Sequence, residues 1–337
     1  MKRTLNKSIS DFLASMHAEM QEGDVTQAAL ARRLGVPRPY VAKVLSGDVN
    51  ISFRTAARFA AALGMDFAPE LSEQRQRALA RRQSRSKHEV AILMAAGLGS
   101  RMRPLTDRLA KPLVPVVGRP LIETVIAALA KRGVSDIYIV VGYRKEQFRP
   151  LLKKYPNVRL IENREYRTKN NIGSIAVAAA QMASADCFVC EADLFVPSES
   201  LLCRPLEHSG YFGKFLPGRS DDWVFETSGG RITRIGKGGD DCFNMVGISF
   251  FRQPDAAKIA LAVLEAAQKP ENAQLFWDDI VDRLVKDGLD LTVHEVHPGE
   301  IVECDTVKDL ESLEASLKTR ANRGSAGAIV RRGPNLV

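Results

Sequence analysis

Glycines, two basic residues and two well-separated acids are the parts of this chain that could do chemistry. The run Ala95-Ala96-Gly97-Leu98-Gly99-Ser100-Arg101 leads to Lys111-Pro112-Leu113. Glycines let backbone N–H groups approach phosphate oxygens, and Arg and Lys neutralise charge that builds on a departing phosphate group. Ala96, Gly97, Gly99 and Ser100 are therefore the expected cradle, with Arg101 and Lys111 as its catalytic cations. The loop is not a Walker A, because no G-K-[ST] follows. Nor is it a dinucleotide fingerprint, since Met102 stands where the third glycine belongs. Asp193 follows the apolar run Cys187-Phe188-Val189-Cys190, at the carboxyl edge where open α/β sheets bind ligands. Asp305 comes over a hundred residues later, just after Ile301-Val302.

Strand, paired glycines, Arg101 and Lys111-Pro112 occurring together resemble the signature of NTP-transferases that activate sugar phosphates and phospho-alcohols, over residues 90–313. Within that superfamily the chain resembles bacterial CTP:phosphocholine cytidylyltransferases. The segments that carry this are Val140-Val141-Gly142-Tyr143-Arg144, Asn170-Asn171-Ile172-Gly173-Ser174, Glu191-Ala192-Asp193, Phe276-Trp277-Asp278-Asp279 and Glu303-Cys304-Asp305. The resemblance implies that Asp193 and Asp305, assisted by Glu303, hold Mg²⁺ against the α-phosphate of CTP. Hard oxygen ligands suit that ion. It also places Gly142, Tyr143, Asn171 and Ser174 beside the base. No protein base is required, because an ionised phosphate or phosphonate can attack the α-phosphorus in line and expel pyrophosphate.

The acceptor end is read from aromatic residues. Tyr166, Trp223, Phe276 and Trp277 could form a box, since a quaternary ammonium has no hydrogen-bond donor and is held by ring faces. Asp278 or Asp279 would complement its charge. Rings that fail to converge would point instead to a primary amine such as phosphoethanolamine or 2-aminoethylphosphonate. Two rivals differ in class. A sugar-1-phosphate nucleotidyltransferase fits less well, because Glu191-Ala192-Asp193 departs from the usual G-D stretch and no hexapeptide repeat follows. A transcription regulator that merely senses a nucleotide would not need Arg101, Lys111, Asp193 and Asp305 all together.

These residues must be positioned by an alternation of strands and helices. Apolar runs at 90–94, 137–141, 158–161 and 187–190 read as strands, with helices at 122–132 and 173–182. That order predicts an α/β, Rossmann-like nucleotidyltransferase fold, a mainly parallel sheet with helices on both faces, over residues 90–316. Residues 71–89 read as a basic linker and 317–337 as a disordered tail. The linker's arginines suit either a solvated connector or a grip on nucleic-acid phosphates.

Residues 1–70 carry four helical patterns instead. Thr26-Gln27-Ala28-Ala29-Leu30-Ala31-Arg32-Arg33-Leu34-Gly35-Val36, followed by Tyr40-Val41-Ala42-Lys43-Val44-Leu45, resembles the Xre-type helix-turn-helix family. By position, that resemblance sends Arg38, Tyr40 and Lys43 to the DNA bases and Gln27 to the backbone. The bland alternative is a module kept for dimerisation or docking, which leaves room for a homodimer.

Composition narrows the setting. The net charge is +8, concentrated in 75–87 and in the tail. Five scattered cysteines do not describe a disulfide framework, and Cys187 and Cys190 lie three apart on a strand, facing opposite sides. His294 and His297 are spaced the same way. With neither a secretory leader nor a membrane span, the expectation is a cytoplasmic protein.

Overall fold

The computed structural model describes residues 9–49, 53–65 and 88–329. The first of these form four helices: α1 Ile9–Glu22, α2 Gln27–Leu34, α3 Arg38–Leu45 and α4 Phe53–Ala62. Local chemistry sets their ends. Thr26 Oγ1 accepts the N–H of Ala29 at 3.2 Å, and Gly35 takes the left-handed conformation, φ +65°, that closes α2. Pro37 then opens α3. Met16, Leu30, Val41, Val44 and Phe59 fill a small core between them. The basic segment 71–87 lies outside the described residues.

From residue 88 the chain builds β1 (Glu89–Ala95), the short pair β2 (Pro115–Val116) and β3 (Arg119–Pro120), then α5 (Leu121–Arg132) and β4 (Asp136–Val141). Next come α6 (Arg149–Lys154), β5 (Val158–Glu162), α7 (Asn171–Val177), α8 (Ala179–Ala183) and β6 (Asp186–Glu191). After β7 (Leu194–Phe195), two long strands, β8 (Gly210–Ser228) and β9 (Arg231–Phe251), form one hairpin. The chain ends with α9 (Gln253–Ala267), α10 (Trp277–Lys286), β10 (Thr292–Glu295), β11 (Val302–Glu303) and α11 (Val307–Ile329).

Seven strands form one sheet in the order β10-β8-β9-β6-β1-β4-β5. The pairings β6 to β1, β1 to β4 and β4 to β5 are parallel, and β9 runs against its neighbours β6 and β8. Buried Ile92, Val140 and Val189 look to one face, where α7, α8, α9 and α10 pack. Ala91, Leu93, Ile139 and Phe188 look to the other, against α5. The period-two alternation of strand side chains fills both cores from the same apolar runs.

A third, smaller cluster joins Met102 and Val114 to Cys304 and Leu313, so α11 is pinned under the glycine loop. Leu310 and Leu317 extend this apolar stripe, and α11 continues as helix to Ile329. Residues 317–329, expected as the start of a disordered tail, continue this helix, and 330–337 lie outside the described residues. Among the described residues no helix is long and apolar enough to cross a membrane.

Candidate active site

The glycine loop is shaped by contact as well as by chemistry. Gly99 has φ +63°, and a Cβ there would lie 2.8 Å from Lys111 Cβ and 3.1 Å from Thr106 Cγ2. Thr106 Oγ1 donates to the Gly99 carbonyl at 2.8 Å. Met102, fully buried, anchors the loop's far end. Gly99 is thus the position at which Lys111 can cross beneath the loop.

Lys111 is nearly buried, and its Nζ donates to Asp193 Oδ2 at 2.5 Å and to Asp305 Oδ1 at 2.6 Å. Arg101, 68% exposed, closes on Asp305 Oδ2 at 2.7 Å. The two acids meet because β7 pairs antiparallel with β11, Glu303 opposite Leu194, and the N–H of Cys304 donates to the Asp193 carbonyl at 3.2 Å. A two-residue ladder therefore brings together segments more than a hundred residues apart in sequence.

Carboxylate oxygens of Asp193, Glu303 and Asp305 lie within 4.8 Å of one another. This all-oxygen set fits a hard divalent cation. Burial works against the charge of Lys111, yet the two carboxylates raise its pKa. Burial likewise opposes ionisation of Asp305, but the hydrogen bond and charge of Lys111, then Arg101, hold it below the usual range. Loss of solvent at Glu303, followed by the charges of Asp305 and Asp193, raises its pKa to about 8.

These groups line a cavity of about 470 Å³ at the carboxyl ends of β1, β5 and β6. Ala96, Gly97, Gly99 and Ser100 form its loop wall, with Arg101 and Lys111 beside the acids. Tyr166, Asn171 and Ser174 face them across the opening. The side-chain oxygen of Asn171 also accepts the N–H of Trp277 at 2.9 Å, so Asn171 tethers α10 as well as lining the wall.

Gly142 and Tyr143 stand behind the wall. A Cβ on Gly142 would lie 2.7 Å from Tyr166 Cγ and 2.9 Å from the Ala96 carbonyl, so Gly142 is the surface on which the Tyr166 ring rests. Tyr143 donates its hydroxyl to the Thr106 carbonyl at 2.9 Å, bracing the loop.

The expected aromatic box does not assemble. Trp277 is buried and stacks on Tyr211 with ring centroids 5.8 Å apart. Trp223 and Phe276 pair at 5.3 Å away from the cavity lining, and Lys237 Nζ already lies 5.7 Å from the Phe276 centroid. Tyr166 is the one ring of the four that lines the cavity. Asp278 is buried, accepts the Tyr211 hydroxyl at 3.0 Å, and is pushed up to about 7 by that burial. Asp279 accepts the Phe276 N–H at 2.8 Å as a helix cap. The amphipathic α10 turns Trp277 and Asp278 inward, which the residue types alone did not reveal.

Asn163, Lys169 and Glu191 are among the lining residues that the sequence reading did not assign to the site. Asn163, fully buried, donates to Ser174 Oγ at 3.2 Å. Lys169 bonds Glu165 and the Ala267 carbonyl. Glu191, the last residue of β6, lines the cavity, its Oε2 lies beside Gly247 of β9, and its carboxyl has no hydrogen-bond partner among the described residues. Burial, followed by the charges of Asp193 and Glu303, holds its pKa well above the usual carboxylate range. Its signal was its place at the carboxyl end of a central strand, two residues before Asp193.

The amino-terminal site residues divide. Arg38 is exposed and Gln27 half-exposed. Tyr40 is buried against the larger domain, and the Lys43 ammonium lies 5.9 Å from the centroid of Phe215 on β8. In this arrangement Tyr40 cannot reach a base edge. Its phenol ring is apolar enough to pack and its hydroxyl found a partner in Glu295.

Comparison with known proteins agrees with this geometry. A family model described as MobA-like NTP transferase domain matches residues 91–286, and one described as helix-turn-helix matches residues 16–69. The chain is 47% identical to the 2-aminoethylphosphonate cytidylyltransferase of Lancefieldella rimae, covering 66% of this chain and 91% of that one. It is 34% identical to the choline-phosphate cytidylyltransferase of Streptococcus pneumoniae, over 68% of this chain and 98% of that one. The solved CTP:phosphocholine cytidylyltransferase from Streptococcus pneumoniae superposes with a TM-score of 0.63 at 35% identity, over 68% of this chain and 99% of that one. The chain therefore belongs to the MobA-like NTP transferases, as a nucleotidyltransferase with cytidylyltransferase relatives that carries a helix-turn-helix domain ahead of its catalytic one.

Proposed function

We propose that this enzyme is a Mg²⁺-dependent cytidylyltransferase that moves CMP from CTP to 2-aminoethylphosphonate, or a close primary-amine analogue, and releases pyrophosphate. The observation that carries the acceptor is the makeup of the cavity: one aromatic ring, Tyr166, and the Glu191 carboxyl, whose ionised form a bound ammonium would stabilise against burial. A quaternary ammonium is held by several ring faces, whereas a primary ammonium donates hydrogen bonds to an acceptor oxygen. The 47% identity to an enzyme named for 2-aminoethylphosphonate supports the same choice.

In this reading a phosphonate oxygen attacks the α-phosphorus of CTP, one P–O bond forms, and the bond to the β-phosphate breaks. Asp193, Asp305 and Glu303 would hold the metal, which supplies charge neutralisation at the α-phosphate. The backbone of Gly97, Gly99 and Ser100 cradles the triphosphate, while Arg101 and Lys111 balance the charge of the leaving pyrophosphate. Asn171 and Ser174, which line the same cavity, would border the base. The amino-terminal domain is read as a DNA-binding module that uses Arg38, Lys43 and Gln27.

Pyrophosphate release tests the reading, with CTP and in turn 2-aminoethylphosphonate, phosphoethanolamine, phosphocholine and glucose-1-phosphate. The expected order of kcat/KM puts the primary-amine acceptors at least about tenfold above phosphocholine. A preference for phosphocholine would reverse the acceptor assignment, and no release with any acceptor would remove the transfer itself.

A further inference from the structure

The helix-turn-helix domain is not simply strung in front of the catalytic one. Tyr40, on the helix expected to enter the major groove, is 4% exposed and donates its hydroxyl to Glu295 at the end of β10. Its ring packs 5.1 Å from Phe215 and 6.2 Å from Phe59, centroid to centroid. Through Phe215 the small domain's core and the sheet's core become one contiguous apolar cluster. Lys43, one turn along the same face of α3, lies over Phe215 as well.

From this burial we propose that the catalytic domain covers the DNA-reading face of α3, so that docking on β8 and β10 and insertion of α3 into duplex DNA exclude each other. A recognition helix reads bases only when its early side chains can enter a groove about 12 Å wide. With Tyr40 enclosed and Lys43 drawn to Phe215, that face has no clearance, although Arg38 at the start of the helix is exposed.

The junction is built to be releasable. Glu295 Oε2 is buried without a hydrogen-bond partner, which costs the docked state part of what the Tyr40 contact contributes. A cavity of about 170 Å³, lined by Pro37, Arg58, Lys214 and Pro298 among others, separates the domains beside the contact. Packing of this kind holds two domains together while leaving a second arrangement within reach.

The test is DNA affinity of the full chain, measured by fluorescence anisotropy on a pool of random-sequence duplexes of about 30 base pairs, long enough for two half-sites a helical turn apart. Phe215→Ala removes the cover without touching α3. If the docked form holds about nine molecules in ten, the variant binds about tenfold more tightly. Adding Arg38→Ala and Lys43→Ala to that variant should abolish the gain, because the uncovered helix then lacks its cations, and leave the background binding of the basic linker. The proposal is overturned if Phe215→Ala binds no more tightly than the unmodified chain, or if the gain survives loss of Arg38 and Lys43. Should Phe215→Ala fail to fold, Glu295→Ala carries the same comparison.

Discussion

Gly99 and Lys111 are in direct contact: the α-carbon of the glycine, at φ +63°, leaves only enough room for the lysine's own Cβ. A methyl group at 99 would be strained by its backbone and would push the lysine off Asp193 and Asp305. Gly99→Ala should fold yet lose about 100-fold in kcat/KM, the penalty for a displacement near 1 Å at a catalytic group. Steady-state pyrophosphate release beside a thermal melt separates the two effects. An active variant with an unchanged KM for CTP would refute the contact's role.

Lys111 itself holds the place between two carboxylates that a divalent ion would also seek. Lys111→Met therefore has two consequences of opposite sign. Turnover should fall by about a thousandfold, since a charge on the leaving pyrophosphate goes unbalanced. Mg²⁺ affinity, by calorimetry on the chain without nucleotide, should rise, since the competing ammonium is gone and three carboxylates remain. Weaker metal binding would show that Lys111 organises the acids rather than competing for them.

Glu191 is expected to set the acceptor. Burial favours the neutral form of Glu191, and an ammonium bound beside it would draw off that proton; Glu191→Gln should therefore raise KM for 2-aminoethylphosphonate about 10- to 100-fold and leave KM for CTP unchanged. Discrimination against phosphocholine should shrink by a similar factor. Equal damage to both substrates would mean that Glu191 shapes the metal site instead.

Asp278 gives the clearest pH dependence. Burial lifts it from 3.8 to about 7, so the folded state binds its proton more tightly than the unfolded chain does. Its contribution to stability is whole below pH 3.8, declines as pH rises towards 7, and is gone above that. Asp278→Asn keeps an acceptor for the Tyr211 hydroxyl and removes the titration. Between pH 5 and pH 8 the variant should gain several degrees in Tm relative to the unmodified chain. A difference that stays constant with pH would show that Asp278 is ionised throughout.

What the sequence disclosed follows from how local each signal is. The glycine loop and Lys111 follow β1 within a short stretch of chain, and that local pattern located the loop wall of the cavity. Asp193 and Asp305 could be paired only through family resemblance, because the ladder that joins them is two residues long and has no periodicity. The aromatic residues misled for a physical reason. Trp277 and Asp278 sit on the inward face of α10, and polar or aromatic type does not tell a satisfied core residue from a ligand. Tyr143, expected beside the base, braces a loop through its hydroxyl. Tyr40 was assigned by its position in the helix-turn-helix pattern, which holds no information about a surface on another domain.

The Tyr40 to Glu295 contact joins residues 255 positions apart, and synthesis runs in one direction. At roughly 5–20 residues per second, the amino-terminal domain leaves the ribosome some 13–50 s before its cover is made. During that interval every new chain presents α3 uncovered, however firmly the finished protein docks it. Nascent and mature molecules would thus differ in their access to DNA without any ligand or modification, and the rate of synthesis would set how many of each are present.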